Sequence, residues 1–124
     1  MNWFAVALGG SLGAMARYGV ATLFASQQSP KFPLATFIAN VLGCFLMGLG
    51  FVLIVERGAL GPVWRHLLLV GFLGAFTTYS TFSIETFLLY EVHHVWLAIF
   101  YAVVTLVSCI AAVSLAVVMS RLIF

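Results

Sequence analysis

The stretch FLGAFTTYSTFSIETF, residues 72–87, sets six serine and threonine side chains, a tyrosine and a carboxylate in the middle of a chain that is otherwise close to continuous hydrocarbon. Of the 124 residues, 65% are hydrophobic and 6% charged, and the mean hydropathy is +1.22. A soluble domain of this size needs a far more charged surface. The stretch therefore reads as part of a membrane protein. Working outward from it, runs of about 20 apolar residues, enough to cross a ~30 Å hydrocarbon core, fall at roughly 3–25, 34–55, 67–90 and 95–119. The longest connector is ERGALGPVWRH at 56–66. These features predict an all-α membrane protein, one domain of four transmembrane helices over residues 1–124. Alternating ten-residue strands, the mark of a transmembrane barrel, are absent from the sequence. MNWFAVALGG has no Lys or Arg before its apolar run and no small-residue cleavage pattern after it, so it reads as the first span rather than a signal peptide.

Thr77, Thr78, Tyr79, Ser80, Thr81 and Ser83 occupy every face of a helix within two turns, just after Gly71 and Gly74. β-branched threonine beside glycine is a poor helix former, so helix three is expected to break at mid-span. Non-helical backbone at that depth persists only where protein or a wet cavity satisfies it, and freed carbonyls there can hold a cation. Tyr79 and Phe82, three residues apart, share a face on any helical continuation. Aromatic ring edges are electropositive and, beside hydroxyl and amide donors, suit a small anion. The same two rings read equally as core filling.

Arg17, Asn40, Glu85, Tyr101, Thr105 and Ser108 are further polar side chains inside the spans. Depth makes each costly and hence a functional candidate. Each also has a plainer reading. Thr105 and Ser108 can bond back to their own helix. Arg17 can snorkel to an interface, and Glu85 can pair with Arg17 or reach an interface itself. Asn40, about 9 Å into its span, can fasten two helices. Cys44 and Cys109 read as small buried hydrophobes rather than as a disulfide or metal ligands.

Small residues line three helices: Gly9 and Gly13 in the first, Gly43, Gly48 and Gly50 in the second, and Ser108, Ala112 and Ala116 in the fourth. Such faces allow close helix approach. They point to an oligomer, since four thin helices hardly enclose a path, although they serve packing within one chain as well. Charge does not orient the chain. With four spans, Arg57, Arg65 and Arg121 share one side, while Lys31, and Arg17 if it reaches its nearer end, belong to the other. So small a bias leaves insertion in both directions open; a small protein with short loops has few places for charge in any case.

GGSLGAMARYG (9–19), PLATFIANVLGCFLMG (33–48) and GFLGAFTTYSTFSIE (71–85) resemble the three signatures of the Fluc/CrcB family of bacterial fluoride channels. The resemblance spans all four apolar runs. It implies an antiparallel, dual-topology homodimer in the lipid bilayer of the bacterial plasma (inner) membrane, with two narrow pores exporting fluoride ion by passive conduction and so relieving its toxicity. It also implies a structural sodium ion at the dimer centre, held by the backbone carbonyls of Gly74 and Thr77. In an antiparallel pair only midplane residues such as these meet their own copies on the twofold axis. Matched by position, Asn40 is the pore asparagine and Phe82 the second of two pore phenylalanines. Thr78, Ser80, Thr81 and Ser83 form the hydroxyl-rich stretch beside them. Tyr101 and Thr105 match the polar track of helix four, Glu85 the acid after the motif, and Arg17 the base closing the first signature. The family's first pore phenylalanine is replaced here by Tyr79, which keeps the ring and adds a hydroxyl.

Other classes fit less well. A small multidrug exporter needs a buried carboxylate, typically in helix one, where this chain has Arg17 and no acid. A haem anchor needs histidine within its spans, yet His66, His93 and His94 lie in connectors. No base and nucleophile pairing points to an enzyme, and no nucleic acid partner is expected. A purely structural membrane subunit is the remaining alternative.

Overall fold

A computed structural model describes residues 2–25 and 32–124. Lys31, one of the charges weighed for orientation, lies outside the described residues. The first helix, α1, is Asn2–Leu23, and the second, α2, is Leu34–Glu56, its last turns from Phe51 onward widened to i→i+5 bonding. The third span is two helices in line: α3 over 62–76, wide-turned through Arg65–Leu73, and α4, Tyr79–Glu91. The fifth, α5, is Val95–Ile123.

Three membrane-length apolar rods are present among the described residues: Leu34–Glu56, Pro62–Glu91 and Val95–Ile123. With 22 residues α1 is long enough to cross, but Asn2, Arg17 and four interior glycines dilute its apolar character. The connector expected over 56–66 is shorter than the sequence suggested, because α3 starts at Pro62. Proline at a first helical position has no N–H to leave orphaned, and extended Gly61 sets it there. Gly58 turns the loop with φ +61°, a conformation that favours glycine.

The small-residue faces are used inside the chain. A Cβ on Gly9 or Gly13 would run into the backbone of Leu67 and Phe72, and one on Gly71 would meet Val6 and Gly9. The α1 stripe therefore lets α1 lie backbone to backbone along α3. Gly48 does the same for α2 against Val113 and Ala116 of α5, and Gly43 makes room for Thr77 and Phe76. These contacts occupy the glycine faces of α1 and α2 read as pointing to an oligomer, so those two faces carry no argument for one.

The helices α2 and α5 run parallel with a fixed register. Glu56 pairs with Arg121, Gly48 faces Val113, and Thr36 and Tyr101 meet on one carboxylate, a constant separation of 65 residues (56 with 121, 48 with 113, 36 with 101). One face of α2 thus looks at one face of α5 from end to end. That face carries the residues of the site.

Candidate functional site

The expected break in the third span is at Thr77 and Thr78. Both are extended, at φ −78°, ψ 156° and φ −149°, ψ 124°, between α3 and α4. Asn40 spans the gap. Its Nδ2 donates to the Thr78 carbonyl at 2.9 Å, and its Oδ1 accepts from the Thr78 N–H at 2.7 Å. The amide thus supplies both partners that a neighbouring backbone would offer, within a half-buried environment where orphaned groups are costly. The Thr78 hydroxyl then caps α4 by accepting from Thr81 N–H at 3.2 Å, and it donates to Thr81 Oγ1 at 3.0 Å. Because Thr78 N–H turns to Asn40 and Thr81 N–H to the Thr78 side chain, the carbonyls of Gly74 and Thr77 lose their usual helical donors. The next freed carbonyl, that of Ala75, accepts from Arg17 Nε at 3.1 Å. Arg17 is therefore fastened to the break.

Two pockets flank Thr78. One, of about 240 Å³, is lined by Asn40, Thr77, Thr78, Tyr79, Phe82 and Thr105, together with Cys44, Leu106 and Cys109. Phe82 packs against Tyr79 and Tyr101 with ring centroids 5.6 and 5.2 Å apart. The second Nδ2 hydrogen of Asn40 is left over from the clamp, and Thr105 Oγ1 is buried with no partner among the described residues. An amide hydrogen, an unengaged hydroxyl and two aromatic rings at one apolar-walled pocket are groups a small anion can use in place of water. Phe82 also lines a larger apolar groove between α4 and α5, with Ser83 and Thr86. It is the partition between the two spaces.

The other flanking pocket, of about 120 Å³, is bounded by Arg17, Thr36, Thr78, Thr81 and Glu85. Here Glu85 accepts from Thr36 Oγ1 at 2.8 Å and from Tyr101 OH at 2.8 Å, joining α2, α4 and α5 at one carboxylate. Two donors on an acceptor-only group make this a satisfied node. The Tyr101 hydroxyl is thereby turned to Glu85.

The sequence-predicted residues thus divide by what they touch. Asn40, Thr78, Tyr79, Phe82 and Thr105 meet at the first pocket, and Arg17, Thr81 and Glu85 at the second. Ser83 instead donates back to the Tyr79 carbonyl at 2.8 Å, the local bond that the sequence reading keeps for Thr105 and Ser108. Ser80 is exposed, 3.4 Å from the Thr78 hydroxyl. Tyr79 is 81% exposed in the single chain. Thr36 was missed by sequence reasoning; its position one turn before Asn40 on the same helix face was the available signal.

Residues 4–117 match the family described as CrcB-like protein, Camphor Resistance (CrcB). The chain belongs to the CrcB family. A protein of Saccharophagus degradans named fluoride-specific ion channel FluC is 54% identical over 119 residues, covering 96% of this chain and 89% of the relative. Proteins of the same name from Coxiella burnetii, 43% identical over 98% of both chains, and Hahella chejuensis, 42% identical over 95% of this chain and 93% of the relative, are also similar. The CrcB family is one of ion channels rather than enzymes, and this member is a multi-pass membrane protein.

Proposed function

We propose that the chain is a fluoride-selective channel that exports cytoplasmic fluoride by passive conduction across the bacterial plasma membrane. The observation that carries this reading is the Asn40 clamp on Thr78. It opens the third span and leaves an amide hydrogen, the Thr105 hydroxyl and the rings of Tyr79 and Phe82 around one pocket. The names of the relatives support the choice of ion.

On this reading α1 is the fourth span and the working unit is an antiparallel homodimer. The weak charge bias supports insertion both ways, and Tyr79, 81% exposed beside the pocket, is a surface a second copy would cover. A structural sodium ion at the centre is part of the same proposal. The carbonyls of Gly74 and Thr77, deprived of helical donors at the break, are hard oxygen ligands of the kind such a cation takes. When bound, the ion would supply positive charge to those carbonyls and tie the two copies together. The two breaks would otherwise carry uncompensated backbone.

Purified protein in liposomes tests the function. Fluoride efflux that needs neither a proton gradient nor ATP, with chloride largely excluded, is the expected result. Equal fluoride and chloride fluxes, or a flux that requires a pH gradient, would overturn it.

A further inference from the structure

Cys44 and Cys109 are the two thiols of the chain, and the α2–α5 register sets them opposite one another, at the same separation of 65 residues that joins Glu56 to Arg121 and Gly48 to Val113. Neither forms a disulfide, both are half-buried, and both line the pocket that holds Asn40, Phe82 and Thr105. Each thiol stands one helical turn from a polar pocket residue on its own helix, Cys44 from Asn40 and Cys109 from Thr105.

We infer that Cys44 and Cys109 form a two-thiol site for a soft, two-coordinate metal ion, and that filling it obstructs the pocket. Two sulfur ligands from two rigid helices match the ligand type such ions select, and no third ligand is needed for a linear pair. The wall around them is apolar, so the ion has to arrive neutral or shed its counter-ions on binding. Mercury(II) chloride meets that condition. Each thiol exchanges its proton for a sulfur–mercury bond, releasing one proton and one chloride, and the product is a neutral bis-thiolate with no change of oxidation state. A heavy ion held there sits beside the Asn40 amide and the Thr105 hydroxyl. The consequence for flux rests on the proposed channel reading; the binding does not.

The test is a titration of the detergent-purified chain with mercury(II) chloride, counting remaining thiols, followed by fluoride efflux from liposomes at the same ratios. One mercury per chain should remove both thiols, and efflux should fall in step and recover on adding a small dithiol. Cys44→Ser or Cys109→Ser should weaken mercury retention by about a hundredfold or more, the usual loss when two linked contacts become one. Each variant is compared with its own untreated efflux. Two mercury ions per chain, or one thiol left reactive at full occupancy, would overturn the site, and the wild-type count gives that answer whether or not the variants fold. Full occupancy with unchanged efflux would overturn its place on the ion path. A chain that binds one mercury but conducts no fluoride at all would instead count against the channel reading.

Discussion

Asn40 and Thr78 complete each other, the amide of one satisfying both backbone groups of the other across 2.7 and 2.9 Å. The residue that helps present donors at the pocket is therefore also the residue that holds the third span open. Asn40→Asp keeps the size but sets a carboxylate oxygen against the Thr78 carbonyl and removes both amide hydrogens. It is expected to abolish fluoride flux and also to cost about 1–3 kcal/mol of stability, the range for stranding a buried partner. Efflux and thermal unfolding in detergent measure the two separately, and a variant with full stability would show that the clamp is dispensable.

Phe82→Ile separates ring from bulk. The isoleucine still offers apolar bulk between pocket and groove, but the aromatic ring at Asn40's pocket is gone. Fluoride efflux should fall strongly while size-exclusion profile and unfolding temperature stay close to wild type. Flux near the wild-type level would return Phe82 to a packing role.

Tyr79 should behave differently, since its hydroxyl has no partner among the described residues and its ring is largely exposed in one chain. Tyr79→Phe retains the ring and is expected to keep efflux within about twofold, the scale of a substitution that removes an unengaged group. A collapse of flux would mean that the phenol itself donates to the ion.

The break could be read from Gly71, Gly74 and the threonine run because backbone propensity is a local property, and Asn40 stood out because an amide at that depth demands a partner. What could not be read were facts about two helices at once. Whether Gly9 and Gly13 face a second copy or α3 depends on where α3 lies, and the answer is α3. That Glu85 meets Thr36 and Tyr101 rather than Arg17, and that two cysteines read as core share one wall of a pocket, follow from the α2–α5 register. No single helix periodicity contains it.

The glycine stripe offers a paired test of this packing. Gly13→Ala puts a methyl into the Phe72 backbone, which cannot move aside as a side chain would, and is expected to cost about 1–3 kcal/mol as overpacking does. At Gly19, on the same helix, nothing lies within 4 Å of the added carbon, so Gly19→Ala should be neutral or stabilising by up to about 1 kcal/mol through helix propensity. Unfolding temperatures of the two variants give the comparison. Equal losses at both positions would show that α1 does not lie on α3 in this register.

The proposed sodium ion makes the last prediction. With Thr78 N–H committed to Asn40 and Thr81 N–H to the Thr78 hydroxyl, the Gly74 and Thr77 carbonyls need another source of positive charge. An unsatisfied backbone group in hydrocarbon costs several kcal/mol, and the Arg17 Nε contact at the break goes to Ala75. A cation held only by backbone oxygen is indifferent to side-chain chemistry, so Thr77→Val should leave cation dependence intact. Replacing sodium with a bulky organic cation should instead lower the unfolding temperature of the proposed dimer and slow fluoride efflux together. An ion that stays in place adds no charge movement of its own, so raising sodium above saturation should leave the efflux rate unchanged. Stability and efflux that persist in thoroughly sodium-free buffer would rule the ion out, and the Gly74 and Thr77 carbonyls would then have to be satisfied by water.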